Sequence, residues 1–136
     1  MSTVFAGRIE AAKALAKALK KYCGRKPLVL AIPRGAVPMG SVIADELKGV
    51  LDIVLVHKLL SPHSEELASG AVDETGWTYL APHACGEGAD DAYREREKHA
   101  QLEMLKKRRA AYTPRRLPIA PAGRVAIVVD DGLATG

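Results

Sequence analysis

Near the end of this 136-residue chain stands a group of residues equipped for chemistry: Ile127-Val128-Val129, then Asp130-Asp131-Gly132, then Leu133-Ala134-Thr135-Gly136. An apolar run that ends in two acids and small residues reads as a strand delivering a binding loop. Adjacent carboxylates repel, so burying both without partners is costly. Vicinal sugar hydroxyls or a metal would satisfy them. The small residues that follow can expose backbone N–H groups, and Thr135 adds a hydroxyl. A nest of that kind suits a phosphate. Acids for hydroxyls beside a nest for phosphate would hold a ribose 5-phosphate. Asp and Gly are also common at ordinary strand-to-turn junctions, so Asp130-Asp131-Gly132 alone would not name a site.

Two further groups have the same character. Pro33-Arg34-Gly35 follows the apolar run Leu28–Ile32 and precedes a helical pattern. A strand, a tight turn and a helix start make an anion site, and Arg34 adds charge. His57-Lys58 closes the run from Asp52 to Leu59, where Lys58 could meet an anion or simply extend its amine to water.

The elements that must position these groups follow from periodicity. Ile9, Ala12, Ala16, Leu19 and Cys23 share one helical face, predicting a helix over about 6–23 that stops at Gly24. Residues 28–32 and 52–59 read as buried strands. Gly40, Ile43 and Leu47 place a helix at about 37–48, with Pro38 in its first turn. Residues 66–80 read as two strands joined at Glu74-Thr75-Gly76. The stretch 81–91 lacks periodicity and reads as a mobile loop. A long helix follows, capped by Asp90 or Asp91 and supported by a Glu103–Lys107 pair. Pro114, Pro118 and Pro121 end it, and 125–130 is the last strand. Apolar strands alternating with helices predict one α/β domain over 1–136, a parallel sheet with helices on both faces. Sites in such sheets lie at the carboxyl ends of the strands, where all three groups fall.

Composition narrows the function classes. Apolar residues make up 48% and charged residues 26%, ordinary globular usage, and no apolar stretch approaches the roughly 20 residues of a membrane span. The N-terminus has no signal-peptide pattern, and Cys23 and Cys85 lack metal-ligand spacing, so free thiols in the cytoplasm are expected. The net charge of +4 is uneven. Residues 94–116 hold nine Lys/Arg against three Glu, so that stretch carries +6 and the rest −2. The acids upstream make the Lys106-Lys107-Arg108-Arg109 run a solvated helix face and argue against a nucleic-acid partner. An ATPase reading of the acidic strand fails for want of a Gly-rich Lys-Ser/Thr loop.

The string Val128–Gly136 resembles the phosphoribosyl diphosphate (PRPP) motif of type I phosphoribosyltransferases. That motif is four apolar residues, two acids, two variable residues, Ala/Asp-Thr-Gly and usually one more residue and Thr. The resemblance extends over residues 28–47, 51–76 and the long helix, toward the predicted phosphoribosyltransferases of unassigned acceptor. It implies that PRPP loses pyrophosphate to a nucleophile, usually a ring nitrogen of a base. It implies that Asp130 and Asp131 hold the ribose hydroxyls and that Gly132, Leu133, Ala134, Thr135 and Gly136 hold the 5-phosphate. Arg34, Gly35 and Lys58 would meet the pyrophosphate, with Mg2+ carried mainly on substrate oxygens. The family's pyrophosphate loop has a non-proline cis peptide, expected here just before Arg34 or at Arg34-Gly35. A loop at 81–91, with His83, Glu87 and Asp90, would close over the reacting centre. Ala134 in place of Asp weakens a 6-oxopurine acceptor.

The resemblance also implies sequence beyond Gly136: the helix completing the phosphate site, a further strand and base-selecting elements. The expected alternative is therefore a truncated, inactive module that binds PRPP or a nucleotide. An open edge strand would invite self-association, a homodimer being one form it could take while the oligomeric state is left open.

Overall fold

The structure is a computed structural model that describes residues 4–62, 64–82 and 91–132, the side chains of 64–68 aside. In chain order it has α1 (Arg8–Ala18), a 3-10 turn (Lys20–Tyr22), β1 (Leu28–Ala31), α2 (Ala36–Leu47), β2 (Val50–Ile53), β3 (Val56–Ser61), β4 (Ser64–Asp73), β5 (Thr78–Leu80), α3 (Asp91–Tyr112) and β6 (Ala126–Val129). Two compact units divide the chain, one from 1–54 with 118–136 and the other from 55–117.

The first unit carries a parallel sheet in the order β2-β1-β6. β1 pairs with β2 from Leu28↔Val50 to Ala31↔Ile53, and with β6 from Leu28↔Ala126 to Ala31↔Val129. α1 and α2 pack on it. Ala12 and Ala16 bury the inner face of α1 against Ile43, Ala44, Val29, Ala31 and Val129. The small alanines on α1 leave room for Met39, Ile43 and Leu47 of α2 in the same cluster. Gly40 serves the same end for α2: a Cβ there would stand 2.9 Å from both Ala31 Cβ and Leu51 Cδ1. Ile9 and Cys23, expected on the buried face of α1, are exposed instead; Cys23 falls off that face because the regular helix ends at Ala18 and the chain tightens into the 3-10 turn.

Asp52 is an unusual member of this core. It is 2% exposed, yet it is an acid within a strand. Its Oδ1 accepts the Ile53 N–H at 2.8 Å and its Oδ2 accepts the Ile119 N–H at 2.9 Å. Both bonds stabilise the buried carboxylate. The Ile119 bond also fixes the proline-bearing segment that leads into β6.

The second unit is an antiparallel sheet, β3-β4-β5, with α3 packed against β3 and β4. The sequence run 52–59 therefore does not form one strand. Val54 gives its N–H to Ala31 at 3.0 Å, ending the pairing with β1, and β3 then begins in the other sheet opposite β4. Gln101, Leu105 and Arg109 make the buried stripe of α3. Arg109 forms a two-pronged ion pair with Glu74, with Nε to Oε2 at 2.8 Å and Nη2 to Oε1. The end of α3 is thus tied to the β4–β5 turn. The basic run of α3 is not uniformly solvated, since one of its four cations is spent internally. On the exposed face Glu103 pairs with Lys106 at 3.1 Å, three residues on rather than four.

The buried charges give two tests of stability. Asp52→Ala leaves two amides without an acceptor and should cost about 1–3 kcal/mol, measured by denaturant unfolding; an unchanged midpoint would contradict the assigned bonds. Arg109→Lys keeps the charge but loses the fork, and should lower the melting temperature while Lys107→Arg leaves it unchanged.

Candidate functional site

The site is built where β1 and β6 end side by side. Their last rung is the Ile32 N–H to the Val129 carbonyl at 2.9 Å. Because the strands are parallel and in register, the loops leaving them start at the same level. From β1 the chain turns through Pro33-Arg34-Gly35 into α2. The Pro33–Arg34 peptide is cis, at the first of the two positions expected from the resemblance. Gly35 is the N-cap of α2 and brings no capping side chain, and the Val37 N–H of the first turn bonds back to the Arg34 carbonyl at 3.2 Å. Arg34 beside it is exposed. From β6 the chain emerges as Asp130-Asp131-Gly132, all three exposed.

The two loops touch. A Cβ built on Gly35 would lie 2.1 Å from Asp131 Oδ2 and 2.9 Å from its Cγ. The carboxylate therefore rests on the bare α-carbon of Gly35. Backbone freedom does not explain this glycine, since its φ of −64° suits any residue. The neighbour's carboxylate requires it.

Asp131 has a second neighbour that sequence reasoning missed. Arg8, the first residue of α1, reaches Asp131 Oδ2 with Nη2 at 3.0 Å and Nε at 3.3 Å. Asp130 in turn accepts the Asp131 N–H on Oδ1 at 2.8 Å. The expectation that the paired acids lack partners until a sugar arrives is thus corrected: each already accepts a bond. Arg8 lies 123 residues from Asp131 and looks like any other cation of a surface helix, so no local pattern could have marked it. The Arg8 hydrogen bond outweighs the opposing desolvation and, with the Arg8 charge adding to it, holds the Asp131 carboxyl below its usual range. Asp131 therefore stays ionised to lower pH than an ordinary carboxylate.

Other expected site residues are placed differently. Lys58 is not at the end of a parallel strand; it is the third residue of β3, exposed and paired with Ala71 in the second unit. Its neighbour His57 keeps Nδ1 2.9 Å from the Lys58 carbonyl. Leu133, Ala134, Thr135 and Gly136 lie outside the described residues, as do His83, Cys85, Glu87 and Asp90. Cys23 is a free, exposed thiol. Beside β6 runs a largely apolar groove of about 340 Å³, lined by Leu15, Leu19, Ile127 and Val128, with Asp130 at its polar limit.

As for metals, no cluster of three or more His, Cys, Asp or Glu among the described residues could cage an ion. The donors at this site are the two adjacent acids. Such a set suits a hard cation that arrives largely on substrate oxygens. Among the described residues no helix is long and apolar enough to cross a membrane.

Comparison with known proteins agrees with this geometry. The phosphoribosyl transferase domain family matches residues 4–136. Proteins from two strains of Mycobacterium tuberculosis, each named "Putative phosphoribosyl transferase", are 37% identical over 134 residues, which is 98% of this chain and 30% of theirs. The chain thus spans under a third of the length of these curated relatives. The crystal structure of TT1426 from Thermus thermophilus superposes with a TM-score of 0.79 at 40% identity, covering 95% of this chain and 62% of that one. Matched over residues 4–136, the chain belongs to the phosphoribosyl transferase domain family.

Proposed function

We propose that the protein uses PRPP to transfer a 5-phosphoribosyl group to a nitrogenous base or similar nucleophile, releasing pyrophosphate. The observation that carries this reading is the meeting of two loops: the cis Pro33–Arg34 turn and the acidic pair, with Asp131 seated on Gly35. One loop presents the Arg34 cation beside the start of α2, where charge and helix dipole suit a pyrophosphate. The other presents carboxylate oxygens, which suit ribose hydroxyls. Their contact at Gly35 and Asp131 supports reading them as neighbouring subsites for one molecule.

In this reading Asp130 and Asp131 hold the ribose, and Arg34 and Gly35 meet the pyrophosphate. Gly132, Leu133, Ala134, Thr135 and Gly136 hold the 5-phosphate. Mg2+, when bound with pyrophosphate, supplies charge neutralisation of the leaving group. The bond from the ribose anomeric carbon to pyrophosphate breaks as the nucleophile's bond forms. Positive charge develops on the ribose, and the ionised acids beneath its hydroxyls favour it electrostatically. The protein's part is otherwise positioning. The same reading places the chain in the cytoplasm, working on small molecules, with a homodimer as one assembly open to it.

Titration calorimetry with PRPP and Mg2+, paired with a pyrophosphate-release assay over a panel of bases, tests this. Binding with release supports the transferase. Binding without release favours a PRPP-binding module, and absence of both sinks the reading. Asp130→Asn with Asp131→Asn should weaken PRPP binding by roughly a hundredfold or more; unchanged affinity would remove the ribose assignment. Gly35→Ala should push the Asp131 carboxylate off its seat. Affinity for PRPP should then drop by roughly tenfold while the melting temperature stays near that of the parent, because the displaced group is a surface side chain. A normal affinity in this variant would mean that the contact does not shape the site.

A further inference from the structure

Among the described residues, Arg8 is the charged group that another element aims at the acidic pair, and the proposed reaction leaves it without a task. Its guanidinium places two N–H groups on the same carboxylate oxygen, Asp131 Oδ2, and leaves Oδ1 to other donors. Its Nε would also lie 3.0 Å from a Cβ on Gly35, so cation, carboxylate and glycine form one packed unit. The base of that unit is firm. α1 is held to α2 through buried Ala12 and Ala16, and Gly35 is the N-cap of α2. Three elements, the starts of α1 and α2 and the end of β6, therefore converge on Asp131.

We infer that Arg8 is a positioning residue for the phosphoribosyl site, holding Asp131 on Gly35 in the orientation that receives a ribose hydroxyl on Oδ1. The inference rests on the PRPP reading. Two physical needs support it. A carboxylate that must accept a hydroxyl works best if it does not have to be ordered on binding. A polyanionic ligand also meets two adjacent acids here, and a guanidinium on one of them offsets that repulsion. The guanidinium shape matters, since a lysine would supply the charge but not two N–H groups converging on Oδ2 from one rigid plane.

Among the described residues, the charged groups facing Asp131 are Arg8 from α1 and Asp130 from its own loop. The direction of a pH effect follows. With Arg8 present the Asp131 carboxyl is depressed, so its ionised form persists above that lowered value and is lost as pH falls through it. Without Arg8 the loss must begin at higher pH.

The experiment compares the parent chain with Arg8→Gln and Arg8→Lys. Calorimetry with PRPP and Mg2+ from neutral pH down through the ordinary carboxylate range, as far as the fold holds, gives affinities, and carbon NMR of the Asp131 carboxyl in the ligand-free protein over the same range follows its titration. The expected result is a loss of PRPP affinity of roughly tenfold in Arg8→Gln, intermediate affinity in Arg8→Lys, and near-equal melting temperatures. The acid limb of binding and the NMR midpoint of Asp131 should both move to higher pH in Arg8→Gln. Equal affinities with an unmoved Asp131 midpoint would overturn the inference. So would a loss of affinity that tracks a loss of folded structure in both variants. If the parent chain does not bind PRPP, the functional reading fails first, whereas the NMR shift still reports on the Arg8–Asp131 pair.

Discussion

The parallel pairing of β1 with β6 is the constraint on which the rest depends. Residues 28–31 and 126–129 lie almost a hundred positions apart in sequence, yet their register sets two loops at one level. An out-of-register pairing would carry Asp131 away from Gly35 and bring its side chain to the wrong face. The pairing is secured from both sides. Val29, Ala31 and Val129 are buried beneath α1 and α2, and Asp52 holds the approach to β6 through the Ile119 amide. A buried acid far from the chemistry thus governs where the acidic pair of the site comes to rest.

The two units use charge for different ends. In the first unit, the buried Asp52 is satisfied by amides and Asp131 by an exposed cation, one for architecture and the other for a site. In the second unit, Arg109 and Glu74 close the β4–β5 turn onto α3, a structural use of a residue whose basic neighbours in sequence all face solvent. Exposure separates these roles: Arg8 is 61% exposed at its side chain and Arg109 only 10%.

Much of this was legible in the sequence where a local rule applied. The apolar runs at 28–32 and 125–130 and the helical spacing of Gly40, Ile43 and Leu47 located β1, β6 and α2 to within a residue or so. The loops between them carried the acids, the glycine and the cis turn in the expected places. The sequence was silent where a partner decides. Nothing at Val54-Leu55 signals a break, as no Gly or Pro stands there; the run divides because pairing with β1 is exhausted and β4 offers a different ladder. Lys58 moved from an expected strand end to the middle of β3 for that reason. Arg8 stayed hidden because its meaning lies in a residue at the other end of the chain.

The seat of Asp131 on Gly35 links two positions as a single heritable unit. Gly35 has an ordinary helical φ, so its backbone would accept any residue; only the carboxylate opposite forbids one. A lineage that first lost the acid would be free to fill position 35, and once filled, the acid could not return to its place. The glycine and the aspartate therefore constrain each other's history, and the order in which they change decides whether the site can be regained.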